Sequence, residues 1–148
     1  MNDWSPLVCI CIPTYNAEKT IRETLVSVVN QRYSNLIILV VDNASTDGTL
    51  AVVETFSDPR ISIHRNEVNV GGEGNFNRCI QLARGKYTAI YHADDVYEPQ
   101  MVERQVAFLE ANPDAGVVFT AASLIDDNGK IIDRRKTLLE ADFHDLDG

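Results

Sequence analysis

Leu36-Ile37-Ile38-Leu39-Val40-Val41, followed at once by Asp42-Asn43-Ala44-Ser45-Thr46-Asp47-Gly48-Thr49, decides the architecture. Six consecutive apolar residues without polar alternation describe a strand covered on both faces. The break into turn formers, followed by helical periodicity over residues 47–56, describes the strand-to-helix turn of a parallel α/β unit. The same grammar repeats along the chain, with strands predicted at 7–12, 61–65, 87–92 and 116–124 and helices at 17–31, 73–84 and 100–112. In the first helix Ile21, Leu25, Val28 and Val29 recur on one face, so that face packs on the sheet. Asn16 and Ser45 or Thr46 are expected N-caps, Gly85 a helix stop, and Asn112-Pro113 the end of the fourth helix. Asp127-Asn128-Gly129 between two apolar runs predicts a hairpin. The expected fold class is therefore α/β, a mostly parallel sheet with helices on both faces and a late antiparallel hairpin. Residues 1–148 read as a single domain, and the pattern dissolves into charge after Arg134, as at an edge cut on the C-terminal side.

Composition narrows the function. A chain of 148 residues buries roughly 68–70% of its unfolded surface, enough for an independent core. Apolar residues make up 45% and charged residues 24%, so neither disorder nor a membrane span is indicated. Residues 1–6 lack the basic and apolar regions of a secretory leader. The expected location is cytoplasmic, with attachment to the inner membrane surface left to sequence outside this chain. A net charge of -9 repels a phosphate backbone and argues against nucleic acid as a partner. An acidic protein can still hold a polyanionic ligand if a divalent cation or backbone N–H groups mask the charge locally. Cys9, Cys11 and Cys79 lack companions at metal spacing and read as buried reduced thiols.

In open α/β sheets ligands bind outside the carboxyl ends of the strands, so the polar residues there are the candidates. After the first strand, Pro13-Thr14-Tyr15-Asn16 stops strand pairing and opens a helix, a turn that offers N–H groups to an anion or a base edge. After the second, Asp42 can accept donors from a base or a ribose, whereas Asp47 fits a first-turn helix residue. After the fourth, Tyr87-Thr88-Ala89-Ile90-Tyr91-His92-Ala93-Asp94-Asp95 places two adjacent carboxylates at the end of a buried strand. Their repulsion is tolerable when a cation sits between them, and hard oxygen ligands suit Mg²⁺ or Mn²⁺ together with a diphosphate. His92 reads equally as a ligand or as a buried neutral histidine. Asn69-Val70-Gly71-Gly72-Glu73-Gly74 is glycine-rich but is not a phosphate loop, and the first strand does not lead into G-x-G-x-x-G.

Taken together, Pro13-Thr14-Tyr15-Asn16, the stretch 41–49, Asn69-Val70-Gly71, Ala83-Arg84-Gly85-Lys86-Tyr87 and Ala93-Asp94-Asp95 resemble family 2 glycosyltransferases of the GT-A fold, a Rossmann-like sheet. The resemblance covers nearly the whole chain. It implies a nucleotide-diphosphate sugar donor (UDP- or dTDP-linked), a divalent metal, Mn²⁺ or Mg²⁺, and transfer with inversion to a saccharide, lipid-linked or protein acceptor. It further implies that Thr14 and Tyr15 line the nucleotide pocket between Pro13 and Asn16. Asp42 would accept the N3–H of uracil or thymine, Asn69 and Gly71 would border the nucleotide, Asp94 would meet the ribose, and Asp95, with Asp94, would hold the metal. The pattern departs from the family at three points: His92 replaces an acid of the metal motif, Phe76 replaces a frequent arginine beside Asn75 and Asn77, and no general base is found before Gly148. Glu140, Asp142, Asp145 and Asp147 come too early to fill that last role, so the chain alone is expected to bind nucleotide weakly and transfer sugar poorly. Two rivals remain: a Mg²⁺-dependent nucleotidyltransferase, which wants a basic glycine-rich first loop, and a flavodoxin-like binding domain, which wants acids at the end of the first strand.

Overall fold

The structure, a computed structural model, describes residues 5–126 and 128–135. Contacts divide the chain into two compact units, Met1–Ala107 and Phe108–Gly148. The order of elements is β1 (Val8–Thr14), α1 (Ile21–Val29), β2 (Leu36–Asp42), α2 (Thr49–Val53), β3 (Ile61–Arg65), α3 (Gly71–Leu82), β4 (Tyr87–Ile90), α4 (Met101–Ala111), β5 (Ala122–Ile125) and β6 (Ile131–Arg135). In the first unit β1 to β4 form a parallel sheet in the order β3-β2-β1-β4. The two apolar-run strands, β1 and β2, therefore occupy the centre, where both faces are covered.

Alternation sorts the side chains of β1 to two cores. Val8, Ile10 and Ile12 face Ile21, Leu25 and Val28 of α1, with Val53, Val102 and Val106 completing that cluster. Cys9 and Cys11 face the other way and pack with Val41 and Cys79 of α3. Fully burying one such aliphatic side chain stabilises by about 1.5–3 kcal/mol. The three thiols are free and buried. Hydrogen bonding from Cys11 and then burial push the Cys9 thiol far up. Cys11 rises to about 12, chiefly through its contact with Cys79.

The helices differ from expectation at their ends. The first begins at Ile21 rather than residue 17, and the N–H groups of Ala17 and Glu18 just ahead of it are held by side chains of another loop. It stops at Val29, and the buried side chain of Gln31 instead donates to the Ser27 and Glu98 carbonyls and accepts from Val102 N. α3 ends at Leu82, and the turn into β4 relies on Gly85, at φ 127, where a Cβ would stand 2.7 Å from the Leu7 carbonyl oxygen. α4 ends at Ala111, before Asn112-Pro113, as the sequence indicates.

In the second unit the strand expected over 116–124 is confined to β5, which pairs antiparallel with β6 in a sheet of its own. The turn is closed by Gly129 N donating to the Asp126 carbonyl and by Asp126 Oδ1 accepting from Asn128 N and Lys130 N, with Gly129 at φ 76. Asp127, predicted in that turn, lies outside the described residues, as do Glu140, Asp142, Asp145 and Asp147. Among the described residues no helix is long and apolar enough to cross a membrane.

Candidate nucleotide-binding site

The loops that follow β1 and β2 are laced to each other. Asn16 N donates to Ser45 Oγ at 2.9 Å, Ala17 N to Thr49 Oγ1 at 2.8 Å and Glu18 N to Asp47 Oδ2 at 3.2 Å. In return Thr46 N donates to Asn16 Oδ1 at 2.9 Å, and Gly48 N to Glu18 Oε2 at 3.0 Å. Asn16 and Ser45 are thus not N-caps of their own helices: the N-cap positions of α1 and α2 are Thr20 and Gly48, and neither makes a side-chain cap hydrogen bond. The turn after β1 likewise has no N–H groups to spare at residues 16–18, contrary to the sequence expectation. Asp47 Oδ1 accepts from Thr49 N and Thr49 Oγ1, and these bonds, the hydroxyl's first, hold its carboxyl below the usual range. Asn16 at φ 48 and Ala44 at φ 59 occupy the left-handed region, which asparagine tolerates and which costs alanine about 1 kcal/mol.

Asp42, the last residue of β2, is opposite Thr14 in register and fully buried. One oxygen, Oδ2, accepts from Ser45 N at 3.1 Å and lies 3.5 Å from Arg65 Nε. The other, Oδ1, is buried without a hydrogen-bond partner. A buried carboxylate oxygen left unpaired costs roughly 1–3 kcal/mol; Thr24 Oγ1 and Tyr91 Oη are the other buried side-chain atoms without a partner among the described residues. Arg65, whose side chain is 56% exposed, also donates to the Ser45 carbonyl at 3.0 Å.

β4 ends at Ile90, two residues before the strand expected from sequence. Tyr91 N still donates to the Cys11 carbonyl, and then the chain turns. Tyr91 and Tyr97 stack at 3.8 Å between ring centroids and 14° between planes. Tyr97 Oη accepts from His92 N and donates to His92 O, and Ser27 Oγ accepts from Tyr97 N. This clamp closes a short loop that presents Asp94 and Asp95 to solvent. His92 is exposed on the same loop, which excludes its burial as a strand residue.

Residues from both rims meet in a cleft of about 330 Å³ lined by Pro13, Tyr15 and Asn16 on one side and by His92, Ala93 and Asp94 on the other. The structure thus brings together four of the sequence candidates, Pro13, Tyr15, Asn16 and Asp94. Thr14 is buried and its hydroxyl donates to the Ile12 carbonyl. Asp42, Asn69, Gly71 and Asp95 do not line this cleft. The Asn69 amide oxygen is taken by Asn43 Nδ2 and Gly71 N. Sequence reading missed the lacing by Ser45 and Thr49 and the tyrosine clamp. Ser45 and Thr46 look like caps in one dimension, and nothing local signals a partner 29 or 30 residues away. A larger hollow, about 570 Å³ along α1 beside Val26, Tyr97 and Pro99, is walled mainly by hydrocarbon and offers little to a diphosphate.

Among the described residues no three His, Cys, Asp or Glu side chains are grouped as a metal cage. What the loop after β4 offers is a pair of adjacent, solvent-facing carboxylates, a donor set that suits a hydrated Mg²⁺ or Mn²⁺ drawing its other ligands from phosphate oxygens.

The sequence model of glycosyl transferase family 2 matches residues 9–145. The chain belongs to that family. This membership sets aside the nucleotidyltransferase and flavodoxin-like readings. Among family relatives, a UDP-Glc:alpha-D-GlcNAc-diphosphoundecaprenol beta-1,3-glucosyltransferase of Escherichia coli is 38% identical over 112 residues, 76% of this chain and 44% of that protein. The fold is GT-A, shared with two solved glycosyltransferases. S. aureus TarS 1–349 in complex with UDP-GlcNAc superposes with a TM-score of 0.68 at 26% identity, covering 80% of this chain and 40% of that one. The mannosyltransferase PcManGT from Pyrobaculum calidifontis, in complex with GDP-Man and Mn²⁺, gives 0.70 at 30% identity, covering 84% and 36%. The chain spans about half the length, or less, of the curated relatives it matches.

Proposed function

We propose that this chain carries the donor site of an inverting, metal-dependent glycosyltransferase that takes its sugar from a UDP- or dTDP-linked donor and delivers it to an acceptor hydroxyl of a saccharide, lipid-linked or protein acceptor. The observation that carries the reading is the fully buried carboxylate of Asp42, with one oxygen saturated and the other unpartnered at the carboxyl end of the central sheet. Uracil and thymine present an N3–H that such an oxygen can accept, and the desolvated, charge-assisted bond is worth about 1.5–3 kcal/mol. Tyr15, half-exposed at the cleft mouth, gives the base or sugar an aromatic wall. Asp94, on the facing rim, accepts from ribose hydroxyls. Asp95, with Asp94, is suited to hold Mn²⁺ or Mg²⁺, which when bound neutralises the charge growing on the departing diphosphate. The chain's own part is to fix the base, orient the ribose and hold the diphosphate end at the Asp94-Asp95 loop, which the Tyr91–Tyr97 stack keeps in place. The E. coli relative's lipid-linked acceptor and the UDP-GlcNAc complex of TarS support this class of donor and acceptor. The Mn²⁺ complex of PcManGT supports the metal.

Thermal-shift titration with UDP, dTDP, GDP and CDP, each with and without Mn²⁺, tests the reading. A ligand at 100 times its Kd adds about 2.7 kcal/mol. The expected result is a shift for UDP or dTDP that requires metal and shrinks in Asp95→Ala. An equal shift with and without Mn²⁺ overturns metal-assisted donor binding.

A further inference from the structure

Four asparagines from separate parts of the first unit are joined in one chain of side-chain amide hydrogen bonds. Asn75, in the first half of α3, donates from Nδ2 to the Val41 carbonyl at 2.9 Å and accepts on Oδ1 from Asn66 Nδ2 at 2.9 Å. Asn66, just past β3, also donates to Asn43 Oδ1 at 3.0 Å. Asn43, just past β2, donates to Asn69 Oδ1 at 2.8 Å and to the Gly71 carbonyl at 3.1 Å, and accepts from Val70 N at 2.9 Å. Every donor and acceptor position of the Asn43 amide is used. Asn43 and Asn75 are 2% and 3% exposed.

The bonds converge on Asp42. Its two flanking peptide groups are both pinned, the Val41 carbonyl by Asn75 Nδ2 and the Asp42 carbonyl by Asn66 N at 2.8 Å, while Asn43 N is tied to Thr14 O at 2.8 Å. Only a neutral side chain that both donates and accepts can run such a chain without adding charge beside a buried carboxylate. Apolar packing would hold the same loops at lower desolvation cost, but it would not fix the direction of a carboxylate oxygen. The Asn69–Gly74 glycine-rich stretch, which matches no phosphate loop, takes its shape from the same amides.

We propose that this asparagine set aims the unpartnered oxygen of Asp42 and thereby sets nucleobase discrimination, with Asn75 and Asn66 as positioning residues. The proposal rests on Asp42 reading the base. Uracil donates from N3, whereas cytosine presents a bare acceptor there, so a correctly aimed carboxylate favours UDP over CDP. An ill-aimed one loses UDP affinity without a matching loss for CDP.

The test measures UDP and CDP dissociation constants calorimetrically, at one Mn²⁺ concentration, for the chain and for Asn75→Ala, Asn66→Ala, Asp42→Ala and Gln81→Ala, with folding checked by circular dichroism. Asn75→Ala removes one donor from the Val41 carbonyl and the acceptor of one Asn66 N–H; UDP binding is expected to weaken about tenfold, with CDP binding little changed, so the ratio falls. Asn66 is less buried, and Asn66→Ala should show the same loss of ratio if Asn75→Ala does not fold. Gln81→Ala, exposed on the same helix, should match the parent. Equal proportional losses for both nucleotides, or an unchanged ratio in folded variants, overturn the positioning role while Asp42→Ala still abolishes discrimination. A parent without discrimination, and unaffected UDP binding in Asp42→Ala, overturn it together with the base reading itself.

Discussion

On the proposed reading of Asp42, replacing it by asparagine should shift the preference of the site from UDP toward CDP. Both groups that approach Asp42 Oδ2 are donors, Ser45 N at 3.1 Å and Arg65 Nε at 3.5 Å. An amide at this position must therefore place its oxygen there, and its NH₂ must take the place of the unpartnered Oδ1. Facing uracil N3–H, that NH₂ replaces a charge-assisted acceptor with a donor. The loss is about 1.5–3 kcal/mol, or roughly a ten- to hundredfold weaker Kd for UDP. Facing cytosine N3, the same NH₂ makes a new neutral hydrogen bond worth about 0.5–1.5 kcal/mol, so CDP binding tightens severalfold. Stability should change little. The ion pair forfeited is with an arginine side chain 56% exposed, worth about 0–1 kcal/mol, and the variant no longer buries a charge. Calorimetric titration of both nucleotides at fixed Mn²⁺, alongside thermal melts, reads all of these changes. Unaltered affinities for UDP and CDP in a folded Asp42→Asn protein would refute the assignment of Oδ1 to the base.

Other consequences concern the frame around the site. Gly85→Ala should destabilise the chain by roughly 2 kcal/mol or more, since it combines a φ of 127 with a Cβ 2.7 Å from backbone; a melting temperature equal to the parent's would contradict this. Asp58, held below the usual carboxylate range chiefly by its hydrogen bond to Arg60, and Asp47, lowered chiefly by Thr49, contribute stability that is complete above their unfolded pKa near 4 and is lost as pH falls through their lower folded values. Denaturation midpoints should therefore hold between pH 7 and 5 and drop below about pH 4, more gently in Asp58→Asn. Cys9, Cys11 and Cys79 should resist a thiol reagent in the native state and react together on unfolding, because all three are buried and the first two are raised; rapid native labelling would contradict the packing.

How much of this was legible in sequence depended on whether the governing interaction was local. Leu36 to Val41 announced a doubly covered strand because burial on both faces leaves its mark residue by residue, and β3 was found at its predicted bounds, Ile61–Arg65. Asp42 and Asp94 were nominated by a rule of topology that needs no coordinates; the structure puts Asp42 at the buried end of β2 and Asp94 in the loop after β4, where it lines the cleft. The asparagine set was not legible, since Asn43, Asn66 and Asn69 each resemble an ordinary turn residue and their meaning lies in partners up to 28 residues away. His92 misled because alternation was extended past Ile90, where pairing with β1 ceases. The strand expected over 116–124 failed for a related reason: apolar residues without a ladder partner before Ala122 do not become strand.

The lacing of the first two loops also bears on how an acidic protein meets a diphosphate. A helix N-terminus attracts phosphate through its free N–H groups. Here Asn16 N, Ala17 N and Glu18 N are already bonded to Ser45, Thr49 and Asp47, and Thr20 N and Ile21 N to Ala17 O. The same exchange occupies Thr46 N and Gly48 N, and Asp47 within the loop takes Thr49 N. The two loops are thus tied together by engaging backbone donors that could otherwise approach phosphate, on a chain whose net charge is -9. On the proposed donor reading, phosphate charge at this rim would then fall to a cation held at the adjacent carboxylates of Asp94 and Asp95. The proposed metal dependence would then follow from the hydrogen-bond arrangement of the opposite loops as much as from the acids themselves. Ser45→Ala, which frees Asn16 N, should accordingly weaken the dependence of nucleotide binding on Mn²⁺ at low salt. If binding of UDP without metal is no better in Ser45→Ala than in the parent, the donors of this turn have no bearing on phosphate and the compensation argued here does not operate.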